Sequence, residues 1–209
     1  AKTKNWNQLI NLTDKAYLNK IIQKEEAKEN KSIALFEIAK IKMKSDGNEA
    51  IKLIEKAISL KGNFAPYIKL YSQLLFLNNK NSKALKVLKK YWSQSPSSLL
   101  RSSISEVLKE NKINELEFIH RLVSKNQNNE ESKKLLIDFA IYSNNWSIAR
   151  DNIKGLIGSN PSREICLFMS DIELGEFNDI QKSEGWKLRA NTSGSDYYWV
   201  CKYTNTPQK

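Results

Sequence analysis

Two alanines in this chain, Ala84 and Ala149, are each followed twelve residues later by a proline, Pro96 and Pro161. In the stretch "NKNSKALKVLKKYWSQSP", Ala84, Leu88 and Tyr91 fall at helical spacing with Leu85 and Trp92 beside them, and Lys83, Lys86, Lys89 and Lys90 take the remaining arc. Pro96 cannot continue that helix and holds Ser95 away from helical geometry, so the helix ends near there. Ala50 stands 34 residues before Ala84 and opens the same face with Ile54, Ala57 and Ile58. Leu116, His120 and Val123 supply a degenerate copy in between, so the spacing runs 34, 32 and 33 residues. Each marked helix follows another amphipathic stretch, at 33–44, 65–78, 97–111 and 131–142, which makes a helix pair the repeating unit.

A helical hairpin of about 34 residues with a small residue opening its second helix resembles the tetratricopeptide (TPR) repeat. Small side chains at Ala50, Ala84 and Ala149 let the two helices approach closely, and larger ones would hold them apart. The expected fold is therefore all-α: a TPR-like solenoid of helical hairpins coiled into a right-handed superhelix. The hairpins fall at about 31–64, 65–96, 97–129, 130–161 and 162–190, the last made of helices at 163–175 and 179–190. Residues 1–30 are expected to hold an N-terminal capping helix, or part of a damaged repeat, running roughly from Asp14 to Asn30 after Thr13 as its cap. Residues 191–209 form a short non-helical segment, in which Tyr197, Tyr198, Trp199 and Val200 read as an extended element folded back onto the last hairpin.

Hydrophobic residues make up 40% of the 209, enough to bury a core. The net charge of +11 favours acidic partners, whether carboxylate-bearing protein, anionic lipid or nucleic acid. No apolar run approaches the roughly 18 to 20 residues that cross a bilayer. The start, "AKTKNWNQL", has neither an initiator Met nor an apolar signal core and reads as the beginning of an excised piece, with any anchor upstream. Cys166 and Cys201 are 35 residues apart with no CxxC pairing, and read as reduced and structural.

The run of repeats, then Gly185-Trp186-Lys187-Leu188-Arg189-Ala190, a short loop and Trp199-Val200-Cys201, resembles the C-terminal part of the HemY family. That resemblance implies the soluble TPR part of a proteobacterial inner-membrane protein linked to late haem biosynthesis. It implies a membrane anchor upstream, a position on the cytoplasmic side, and haem-synthesis enzymes as partners. Membrane-anchored TPR proteins of the LapB type are the second resemblance, and some of these end in two CxxC pairs. Here Thr204 stands where the second cysteine would be, so no metal site is expected.

Lys69, Arg101 and Lys134 each lie fifteen residues before the marker of their repeat, at one place on three successive first helices. Gln73, Ser105 and Asp138 follow one helical turn later. In TPR arrays this place generally faces the concave groove, so the resemblance implies a basic ladder that binds acidic or carboxylate-bearing protein segments, or the propionates of a porphyrin. The competing reading is the solvated face of a lysine-rich protein. His120 reads as a packed core histidine, with a haem ligand as the alternative. Trp92, Trp146, Trp186 and Trp199 read as packing anchors. With one His and no Gly-rich phosphate loop, no catalytic grouping assembles. The expected function is a non-catalytic interaction scaffold without a cofactor; a porphyrin carrier or LapB-like adaptor is the alternative, and a nucleic-acid-binding repeat the third reading.

Overall fold

The computed structural model describes residues 5–111, 115–193, 199–200 and 207–208. Among them are eleven helices: α1 (Trp6–Leu18), α2 (Lys24–Lys42), α3 (Gly47–Lys61), α4 (Ala65–Leu77), α5 (Asn81–Trp92), α6 (Ser98–Asn111), α7 (Glu115–Val123), α8 (Glu130–Tyr142), α9 (Trp146–Ile153), α10 (Arg163–Phe177) and α11 (Ile180–Thr192). The described residues are all-α apart from one antiparallel pair of two-residue strands, β1 (Trp199–Val200) and β2 (Pro207–Gln208). The chain divides into two compact units, residues 1–107 with 199–209 and residues 108–198, and the boundary falls inside α6.

Side chains write the helix ends. Asn5, Asp46, Asn129, Asn145, Ser162 and Asp179 accept hydrogen bonds from backbone N–H groups in the first turns of α1, α3, α8, α9, α10 and α11. Four helices close on a residue in the left-handed region: Lys20 after α1, Asn79 after α4, Asn144 after α8 and Asn178 after α10. The next N–H reaches back five residues after α1, α4 and α8, from Ile21 to Ala16, Lys80 to Leu75 and Asn145 to Ala140, which is the Schellman closure, and six residues after α10, from Asp179 to Glu173. A helix stopped in this way and restarted within one to three residues folds back on the one before it.

Burial repeats with the sequence period. Tyr67, Leu99, Ser132 and Ile165 are buried at matching places on α4, α6, α8 and α10. So are Tyr71, Ser103, Leu136 and Met169, and then Leu75, Val107, Ala140 and Glu173. Ala50, Ala84 and Ala149 have no exposed surface, as close approach of paired helices requires. In the first unit Leu35, Ile54, Tyr67 and Leu74 belong to a core joining α2, α3 and α4. In the second, Ile137, Ile153, Phe168 and Ile172 join α8, α9 and α10.

Three expectations are corrected. The capping helix expected from Asp14 to Asn30 is two helices, α1 and α2, meeting over 19–23, and Thr13 is buried inside α1 rather than capping anything. The left-handed Lys20 makes this break without a glycine or proline to signal it. On α7 the buried residues are Ile119, Leu122 and Val123, whereas His120 is exposed and so is not a packed core histidine. The apolar face of this nine-residue helix is rotated from the face that the 33-residue spacing implied. Third, the β1–β2 pair groups with the first unit and not with the last hairpin, which lies in the second. Tyr197, Tyr198, Cys201 and Thr204 fall outside the described residues.

Candidate functional site

In the first unit α4 is buried on almost every side. Residues 65–68, 70–72, 74 and 75 are buried and Phe76 is half-buried, while Lys69 and Gln73 are half-exposed and Leu77 exposed, four residues apart along one narrow stripe. The sequence places Arg101 and Ser105 at the same register on α6, and both are half-exposed there. Four of the six expected groove residues thus lie in one unit, at half-exposed positions of α4 and α6.

Lys134 and Asp138 lie in the second unit on α8, and their surroundings differ. Lys134 is 7% exposed, so it is not the surface cation that its register suggested. Its ammonium lies 2.8 Å from Glu130, 3.7 Å from Glu131 and 3.3 Å from Glu164 of α10. Burial works against the charge, but the Glu130 hydrogen bond and the three carboxylates outweigh it and hold the ammonium above the ordinary lysine range. At this register α10 presents Leu167, and one turn on Asp171 follows as Asp138 follows Lys134. Desolvation pushes the Asp171 carboxyl above its ordinary range, with Lys187 pulling against that and the charge of Asp138 adding to it. The register that is cationic in the first unit therefore ends, in the second, in an ammonium met by three carboxylates and in two aspartates.

The cationic arc of α5 is divided as well. Lys83 is engaged: its ammonium is 3.0 Å from Glu55 of α3 and lies over the Tyr71 ring of α4, while the Tyr71 hydroxyl donates to Glu55 at 2.5 Å. The Tyr71 hydrogen bond, followed by Lys83, draws the Glu55 carboxyl below its ordinary range against the opposing effect of burial. Lys86, Lys89 and Lys90 are exposed. Trp92 is fully buried, and Trp186 lies partly buried against the core of the second unit, while the side chain of Trp199 lies outside what the structure describes. Trp146 lies over Gly175, where a Cβ would come within 2.7 Å of the indole Cζ2.

Among the described residues no group of three or more His, Cys, Asp and Glu side chains could hold a metal ion, and no helix is long and apolar enough to cross a membrane. An open recess of about 250 Å³ lies on α11 among Lys182, Gly185, Trp186 and Arg189, with the Arg189 guanidinium 5.3 Å from the Trp186 ring centre. None of the expected site residues lines it. The sequence reading also missed the α1–α2 turn, whose apolar and basic residues were absorbed into one long expected helix.

No family model matches the sequence, and no curated protein matches it. Among solved structures the chain is similar to pilF of Pseudomonas aeruginosa, at 15% identity over 90% of each chain with a TM-score of 0.45. A likeness at that identity and score assigns no activity and no partner.

Proposed function

We propose that the chain is a non-catalytic helical-repeat scaffold that holds a protein partner by an acidic segment lying along Lys69 and Gln73 of α4 and Arg101 and Ser105 of α6. The observation that carries this reading is the half-exposed stripe on an α4 that is otherwise buried. A helix sunk in its neighbours offers a partner one line of side chains, and here that line begins with a cation at a register where α6 offers another. Asp138 and Lys134 enter differently: Lys134 ties α8 to α10, and its charge is met within the unit. Its resemblance to HemY through Gly185–Ala190 and Trp199–Cys201 leads us to propose haem-synthesis enzymes at an inner membrane as the first partners to try.

Capture of partners from native membranes by the intact tagged chain tests this. Lys69→Glu with Arg101→Glu lowers capture at least about tenfold, as the loss of charge complementarity at a contact would. Lys86→Glu with Lys90→Glu, which changes net charge by the same amount, leaves capture within about twofold. The opposite ranking would remove the α4–α6 stripe from the reading and put the α5 face in its place.

A further inference from the structure

Leu18 and Ile21 are the most exposed large hydrophobic side chains among the described residues, at 77% and 73%. They stand three residues apart at the turn that joins α1 to α2, with Tyr17, 40% exposed, beside them. Lys15, Lys20 and Lys24 are all exposed around this tip, and residues 15–24 contain no Asp or Glu. The neighbouring acids are mostly engaged elsewhere: Asp14 is paired with Lys31, Glu25 with Lys28 at 2.8 Å, and Glu26 lies in the first turn of α2.

Exposed apolar side chains also stand at the three other turns with a left-handed residue, Leu77 before Asn79, Tyr142 before Asn144, and Phe177 and Ile180 around Asn178. Those turns place Asn in the left-handed position, whereas the turn after α1 places Lys20 there, and among the four it alone joins two exposed aliphatic side chains to three exposed lysines. Ile22, next in the chain, is half-buried, whereas Leu18 and Ile21 are left to solvent.

We propose that this tip is a peripheral docking point for an anionic lipid surface. Two aliphatic side chains on a convex turn have no groove of their own to complement a folded partner, but they fit the soft boundary between headgroups and acyl chains. The three lysines around them meet the charge of anionic headgroups. The unit that bears the tip holds 22 Lys and Arg against 9 Asp and Glu, so its wider field draws toward such a surface and does not oppose contact. The docking is reversible, since it rests on a turn and not on a spanning helix.

Sedimentation of the intact chain with vesicles tests it, using phosphatidylcholine alone and phosphatidylcholine with about 30% phosphatidylserine. The chain is expected to bind only the second, and to lose at least about tenfold in affinity when salt rises from about 50 to about 300 mM. Lys15→Gln, Lys20→Gln and Lys24→Gln together weaken binding about a hundredfold, near fivefold for each lysine at the surface. Leu18→Ser with Ile21→Ser weakens it at least about tenfold by removing the inserted groups. A control triple of equal charge, Lys52→Gln, Lys56→Gln and Lys86→Gln, costs no more than about threefold. Soluble glycerophosphoserine at matched headgroup concentration does not compete, which separates a lipid surface from a free phosphate site. All these substitutions are at exposed positions, and circular dichroism confirms that the variants stay helical. Absence of binding to the anionic vesicles at low salt would overturn the proposal. So would serine variants that bind like the parent, a control triple as damaging as the tip triple, or competition by the soluble headgroup.

Discussion

Residues 1–107 with 199–209 hold 22 Lys and Arg against 9 Asp and Glu, whereas residues 108–198 hold 12 against 14. The whole positive charge of the chain therefore belongs to one compact unit. The two units also use their cations differently. In the second, Lys134 is buried among three carboxylates, and Arg150 of α9 is fixed to Glu173 and Glu176 of α10 with its guanidinium over Phe177. In the first, Lys52, Lys56, Lys86, Lys89 and Lys90 are exposed on α3 and α5, and Lys69 and Arg101 are half-exposed on α4 and α6. One repeat pattern thus serves two ends: Lys134 and Arg150 tie helices of the second unit together, whereas the first unit, besides the ion pairs of Lys31, Lys61 and Lys83, leaves a broad set of lysines exposed on α3 and α5.

Reversing Lys134 should break this contrast most severely. Lys134→Glu sets a fourth carboxylate among Glu130, Glu131 and Glu164, and loss of a buried ion pair costs about 3 to 5 kcal/mol. Hydrogen exchange followed by mass spectrometry should show lost protection over α8 and α10 with α2 to α4 unchanged, whereas Lys69→Glu should leave both units protected. Next in size is Gly175→Ala, whose Cβ would collide with Trp146 where α9 meets α10. Overpacking of this kind costs about 1 to 3 kcal/mol, read as a shifted urea midpoint.

The Glu55, Tyr71 and Lys83 contacts give the first unit a smaller effect with a defined sign. Because the folded carboxyl of Glu55 titrates below its unfolded value near 4.5, its contribution is complete above that pH and is lost as pH falls through the lower folded value. Glu55→Gln should remove that part of the acid dependence from thermal melts between about pH 5 and pH 3. Smallest is Lys86→Glu with Lys90→Glu, which should move stability by about 0.5 kcal/mol or less per site, because exposed side chains far from any buried partner contribute little.

The first helices were legible because their apolar positions recur without a slip from α4 to α10, and the three alanines fixed the helices that pair with them. The second helix of the degenerate repeat was not. In "ELEFIHRLV" apolar residues stand at Leu116, Phe118, Ile119, Leu122 and Val123, so more than one phase fits, and a spacing of 33 residues selected the wrong one. The break between α1 and α2 left no sign because lysine, not glycine, takes the left-handed position. For Lys134, Glu130 and Glu131 were visible three and four residues away on the same helix, but Glu164 is thirty residues distant and reaches it only through the packing of α10 on α8. A lysine's register can be read from sequence; its exposure depends on neighbours that the fold supplies.

Amine footprinting of the intact chain, with a brief dose of an acylating reagent read residue by residue by mass spectrometry, tests the division of cations most directly. Acylation needs an accessible, deprotonated amine, and Lys134 is both buried and held protonated by its carboxylates. Lys86 and Lys89 are predicted to react at least about tenfold faster than Lys134, with Lys69 between them. Labelling of Lys134 at the rate of Lys86, or a Lys69 as protected as Lys134, would contradict the claim that the cation at this register is open in the first unit and held inside in the second.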